Sequence, residues 1–167
     1  MQIIRNLLLF LCLLTFAFAA SARAEPSVIF LVRHAERADA GHAPEKDPDL
    51  SAQGKSRAEA LARALRDASI TAIYTTEYKR TQETAAPLSR SLGVKPQIVP
   101  AKDTAALIGK LKGSSGNVLV VGHSNTLPEI AQALGVSTPL KIGQTDYDDL
   151  FLVLTGAKPR LLDLHYR

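Results

Sequence analysis

One run constrains this chain more than any other: Val28-Ile29-Phe30-Leu31-Val32, five apolar residues in succession, stops abruptly at Arg33-His34. A short unbroken apolar run reads as a strand covered on both faces, as in a parallel sheet packed between helices. Such a strand carries two polar side chains to its carboxyl end. In open α/β sheets that edge binds ligands, because strand ends and helix starts leave backbone groups free there. An arginine beside a histidine makes an anion pocket containing a nucleophile, but the same pair can simply mark a strand meeting solvent. The remaining sequence bears on the choice.

Ala35 to Asp49 is polar and charged and contains Pro44 and Pro48, which reads as a loop beside the site. Ser51 is placed to cap a helix whose apolar residues Ala58, Leu61, Ala62 and Leu65 recur at helical spacing. Ile70 to Thr75 reads as a second strand, ending in Thr76-Glu77-Tyr78-Lys79-Arg80-Thr81 and a helix running to Leu92. Gln97 to Val99 is a brief third strand, and Thr104 to Leu111 a third helix. Val118 to Val121 is a further apolar strand, ending in Gly122-His123-Ser124-Asn125-Thr126 before a helix with Ile130, Ala131 and Leu134. The glycine permits a sharp turn, and the helix start offers free N–H groups to a phosphate. Phe151 to Leu154 and Leu161 to Leu164 close the order β-α-β-α-β-α-β-α-β-β. That order predicts one α/β domain, a three-layer α/β/α sandwich with a mostly parallel sheet. If the strands are parallel neighbours, Arg33, His34, Arg80 and His123 converge at one sheet edge, and two arginines with two histidines form a phosphoryl site.

Residues 1–24 read as a signal peptide rather than part of the fold. Arg5 is a short positive region, Leu7 to Phe18 an apolar stretch broken only by Thr15, and Ala22-Arg23-Ala24 a small-x-small cleavage pattern. The stretch falls short of the roughly 20 residues that span a bilayer. An exported protein beginning at Glu25 is therefore expected, periplasmic or secreted, with residues 25–167 as its single domain. Cys12, the only cysteine, lies in the removed segment, which excludes thiol chemistry and disulfides from the mature chain. Removal also takes Arg5 and Arg23, leaving 18 basic against 16 acidic residues. With no basic block and no aromatic interleaving, nucleic-acid binding is not expected.

Taken together, Arg33-His34-Ala35, Leu50-Ser51-x-x-Gly54, Lys79-Arg80-Thr81-x-x-Thr84-Ala85 and Gly122-His123 resemble the histidine phosphatase superfamily, the phosphoglycerate mutase-like branch 1. The matching features run from residue 28 to about residue 135. The resemblance implies the phosphoglycerate mutase-like fold and a phosphohistidine intermediate on His34. Arg33, Arg80 and His123 would hold the phosphoryl oxygens, so that neither metal nor cofactor is needed. His34 must be neutral to attack, which the neighbouring cations favour, and His123 is expected as a charged donor.

Branch 2 members carry an aspartate after the second histidine; here that position is Ser124. In branch 1 the proton donor usually follows the third strand, where Asp103 is the nearest candidate, although it can equally cap the helix at Thr104. Glu36, Asp39 and Glu77 are weaker candidates. Asn125 and Ser124 either donate to the phosphate or shape the turn. Arg37 reads as solvated charge and Tyr147-Asp148-Asp149 as a solvated turn, while His42 and His165 show no metal-ligand spacing. Two other readings stay open: a non-catalytic phosphate- or phosphoglycan-binding module, and a serine hydrolase using Ser124, which lacks the second glycine of G-x-S-x-G at Thr126. The expected partner is a phosphorylated small molecule or envelope glycan; the sequence leaves the natural substrate and oligomeric state open.

Overall fold

The computed structural model describes residues 27–38 and 47–166. The segment read as a signal peptide, Glu25, Asp39 and His42 lie outside the described residues. Strand β1 (Val28–Arg33) is followed by α1 (Ala52–Leu65), β2 (Ile70–Thr75), α2 (Lys79–Leu92) and β3 (Gln97–Ile98). Then come α3 (Thr104–Lys112), β4 (Asn117–Gly122), α4 (Leu127–Ala133), β5 (Asp149–Leu154) and β6 (Arg160–His165). The expected order of elements is found. The third strand is shorter than expected, two residues hydrogen-bonded to the end of β2.

The six strands form one sheet in the order β3-β2-β4-β1-β5-β6. The first four are parallel, while β5 runs antiparallel to β1 and β6 antiparallel to β5. Strand alternation divides the core in two. Ile29, Leu31, Val118 and Val120 pack towards α3 and α4, with Leu107, Leu111 and Ile130. Phe30, Val32, Leu119 and Val121 pack towards α1 and α2, with Leu61, Leu65 and Leu88. This double coverage is why β1 and β4 carry unbroken apolar runs. Among the described residues, no helix is long and apolar enough to cross a membrane.

Local chemistry sets the helix ends. Ser51 accepts a hydrogen bond from Gly54 N–H at 3.0 Å and caps α1. Gly93, at φ +68°, closes α2 in the left-handed region where glycine is least strained. Asp103 caps α3 through Ala106 N–H at 3.1 Å.

Candidate active site

Sheet register sets the centre of the site. Arg33 pairs with Gly122 across β1 and β4, so His34 and His123 are the first residues beyond the ladder on adjacent parallel strands. The ladder's last tie is His34 N–H to the Gly122 carbonyl at 3.0 Å. The two imidazoles, each 7% exposed, meet edge to face with ring centres 5.4 Å apart. A Cβ on Gly122 would come within 2.9 Å of the side-chain tip of Leu127, the first residue of α4, which would have to shift.

His34 Nδ1 lies 2.8 Å from the Ala35 carbonyl. A carbonyl only accepts, so Nδ1 carries the proton and Nε2 keeps its lone pair. Burial pulls the His34 pKa down to about 4; the Ala35 hydrogen bond opposes the shift, and the charges of Arg80, His123 and Arg33 add to it. At neutral pH His34 is therefore an uncharged imidazole of fixed tautomer, as a nucleophile must be. His123 is lowered to about 4 as well, by burial first and then by Arg80, with Glu77 opposing. Its Nε2 shares a hydrogen bond of 3.1 Å with the Thr76 hydroxyl. Burial beside arginines thus makes His123 neutral in the free protein, and the charged donor expected there would need a bound anion to add to the pull of Glu77 on its proton.

Each arginine lies over a tyrosine. The Arg33 guanidinium carbon is 4.0 Å from the centre of the Tyr147 ring, and that of Arg80 is 4.1 Å from Tyr78. Tyr147 approaches His34 at 6.4 Å and Tyr78 meets His123 edge-on at 5.4 Å, so the imidazole pair is flanked on both sides. Arg33 Nη1 donates to the carbonyls of Gly143 at 3.0 Å, Gln144 at 2.9 Å and Asp146 at 3.4 Å, and Nη2 donates to the Tyr147 hydroxyl at 3.2 Å. Arg80 instead pairs with Asp47 at 3.4 Å. Burial lowers the Arg80 pKa and exposed Arg37 adds to the shift, while Asp47 opposes it. Among the described residues, Arg33 Nε, Arg80 Nε and Thr75 Oγ1 are buried without a hydrogen-bond partner. Each such group costs about 1–3 kcal/mol when left unpaired. Two guanidinium N–H donors beside two imidazoles fit a tetrahedral oxyanion.

The other motif positions hold this centre in place. Ala35 N–H donates to Thr84 Oγ1 at 2.9 Å, and that hydroxyl donates to the Arg80 carbonyl at 2.6 Å, joining the His34 segment to α2. Thr81 Oγ1 lies 3.0 Å from the Thr76 hydroxyl that meets His123. Glu36 is gripped by Arg57, whose Nε and Nη2 reach its carboxylate at 2.7 to 2.9 Å. Its backbone crosses the first turn of α1 so closely that a Cβ on Gly54 would overlap the Glu36 carbonyl. The Leu-Ser-x-x-Gly pattern therefore combines a helix cap with a backbone crossing.

The structure brings Arg33, His34, Arg80 and His123 together. Asp103 lines a cleft with Thr76, Gly122 and Thr126 beside His123, and its exposed carboxylate caps α3 through Oδ1. Glu36 is committed to Arg57, and exposed Glu77 accepts from Ala101 N–H at 2.7 Å while its charge is felt at His123. Asn125 is exposed in the His123 to Thr126 turn. Ser124 is half-buried there; among the described residues the imidazoles bond to Ala35 and Thr76 rather than to its hydroxyl, so no elbow with a base is formed. The sequence places Tyr147 in a solvated turn. It packs on Arg33 instead, because β5 returns antiparallel to β1 and brings the preceding loop to the same sheet edge. No spacing in the sequence signals that contact. Asp149 is likewise buried, paired across β5 and β6 with His165 at 3.1 Å. With Asp148 these two place donor atoms within 4.8 Å of one another, a grouping their cross-strand ion pair already explains.

The family model of the histidine phosphatase superfamily (branch 1) matches residues 29–107. Among solved structures, the mycobacterial glucosyl-3-phosphoglycerate phosphatase is similar at 14% identity and a TM-score of 0.65, over 84% of this chain and 98% of its own. The protein histidine phosphatase SixA, complexed with tungstate, is similar at 15% and 0.66, over 83% and 96%. A provisionally assigned phosphohistidine phosphatase SixA from Agrobacterium tumefaciens gives 18% and 0.63, over 83% and 97%. No curated protein matches the sequence. At these identities the structural likeness establishes the fold, and the family model spans the strand that ends at Arg33-His34 and the helix that carries Arg80. Over residues 29–107 the chain matches the histidine phosphatase superfamily (branch 1), and its fold is that of phosphatases of known structure.

Proposed function

We propose that this protein hydrolyses phosphomonoesters through a phosphohistidine on His34, without need of a metal. The observation that carries this reading is the neutral His34 with a free Nε2, set among two arginines and a second imidazole. Nε2 attacks phosphorus in line, the P–O bond to the leaving group breaks, and the departing oxygen takes a proton. The Ala35 carbonyl receives the Nδ1–H hydrogen bond throughout and steadies the ring as it gains charge. Water then attacks phosphorus, the P–N bond breaks, and inorganic phosphate leaves with His34 neutral again. Charge on the equatorial oxygens is met by Arg33, Arg80 and His123, which spread it as a bound cation otherwise would. A low imidazole pKa helps the second step, because a weakly basic nitrogen is the better leaving group.

The substrate class is proposed as an extracytoplasmic phosphorylated small molecule or envelope sugar, supported by the signal-like pattern of residues 1–24. The protein histidine phosphatase and glucosyl-3-phosphoglycerate phosphatase among the similar structures span phosphoramidate and sugar-linked substrates on one fold. The proton donor for the leaving group is the variable part: Glu36 is taken up by Arg57, and Asp103 shares its carboxylate with the α3 cap.

Turnover of p-nitrophenyl phosphate in EDTA, measured beside His34→Ala, tests the mechanism. The expected result is activity that survives chelation and falls by about 10³-fold or more in the variant. Saturable vanadate binding without product would favour the binding module, and inactivation by an organophosphonate the serine hydrolase.

A further inference from the structure

Arg33 is held differently from an arginine that only waits for an anion. Three backbone carbonyls of the turn 143–146 converge on its Nη1, and the Tyr147 ring lies under the guanidinium with its hydroxyl accepting from Nη2. The turn is itself fastened. Asp146 accepts from Gly143 N–H at 2.8 Å, so closely that a Cβ on Gly143 would overlap the carboxylate. Tyr147 is tied in turn, its carbonyl accepting from the Tyr166 hydroxyl at 3.1 Å.

These contacts leave Nε–H without a partner, and Nη2, with two hydrogens and one acceptor, keeps a second N–H to give. Nε–H and the neighbouring Nη2–H lie side by side on a planar fork, the edge that meets two oxygens of a phosphate at once. Nε is buried without a partner while Nη1 is fully used on carbonyls. A ring beneath the plane fixes its tilt, and carbonyls on the far edge fix its rotation.

We propose that Tyr147, with the turn 143–146, is a positioning element that orients Arg33 so that its Nε edge meets the phosphoryl group on His34. The proposal rests on the phosphatase reading of the site. Tyr147 acts through Arg33 rather than on the substrate. The β4 to β5 connection thereby becomes part of the catalytic machinery although it contributes no group that reacts.

Steady-state kinetics on p-nitrophenyl phosphate and vanadate inhibition, on the full chain, test this with Tyr147→Leu and Tyr147→Phe, each with and without Arg33→Ala. Thermal melts confirm folding of every variant. Tyr147→Leu is expected to lower kcat/KM and vanadate affinity together by about 10- to 30-fold, and Tyr147→Phe, which keeps the ring, to recover to within about 3-fold. In the Arg33→Ala background Tyr147→Leu should cost less than about 2-fold, because two residues acting as one unit do not add. An undiminished loss in that background would show direct contact with substrate and overturn the proposal, as would no loss from Tyr147→Leu alone. Should the unmodified protein bind vanadate but turn nothing over, the phosphatase reading fails, and the vanadate cycle still decides the positioning.

Discussion

The two arginine–tyrosine pairs that flank the imidazoles are alike in stacking and unlike in anchorage. Arg33 is held by backbone carbonyls and a phenol, Arg80 by the carboxylate of Asp47. Neutral acceptors orient a guanidinium without cancelling its charge, whereas a carboxylate neutralises it and competes with an incoming phosphate. Arg33 is thus a fixed donor. Arg80 must exchange one anion for another, and its partner comes from the loop before α1, beyond the sheet.

Lysine substitutions break this comparison most sharply. Arg33→Lys should cost about 10²-fold in kcat/KM, because a cradle of carbonyls over a ring matches a planar fork and not an ammonium. Arg80→Lys should cost nearer tenfold, since an ammonium can pair with Asp47 and with phosphate as a point charge. Equal losses would mean that the two anchors do not matter.

Next in size are the acid limbs. Both histidines have pKa values of about 4 in the folded protein, below the ordinary 6.5, so their protonation is disfavoured by folding. Stability is therefore complete above pH 6.5 and is lost progressively as pH falls from 6.5 through 4, where the unfolded chain binds protons the folded one refuses. Activity should follow the neutral form of His34 and decline as pH approaches 4. Arg80 outranks Arg33 among the charges acting on both rings. Arg80→Met should accordingly move the acid limb of kcat/KM upward more than Arg33→Met, as read from pH–rate profiles.

The smallest expected effect is at the carboxylate. Asp47→Asn removes the competing anion, and KM for an aryl phosphate should fall by about 2- to 3-fold with little change in kcat. A rise in KM would instead make Asp47 an orienting partner of Arg80, erasing the difference between the two sides.

Much of this was legible before any coordinates. The apolar runs of β1 and β4 are local signals, and so are the histidines that end them, the Ser51 cap and the helical spacing of α1. Asp103 shows the limit of such signals. Aspartate before a helix fits a cap and an acid equally well in the sequence, and only the structure shows that Asp103 does cap α3. The neutrality of His123 was also hidden, because it depends on how deeply two strand ends are buried beside Arg80.

The sequence by itself determined which residues end the parallel strands, since strand periodicity and the polar stop after an apolar run are written in adjacent positions. That was enough to bring Arg33, His34, Arg80 and His123 to one edge on the condition that the strands are parallel neighbours, which the sheet order β2-β4-β1 meets. Only the tertiary structure decided that Tyr147 lies under Arg33, that three carbonyls of residues 143–146 turn towards it, and that Glu36 is taken up by Arg57. Those contacts join segments more than twenty to more than a hundred residues apart. They follow from β5 pairing antiparallel with β1 and from the close crossing at Gly54, which no local pattern encodes.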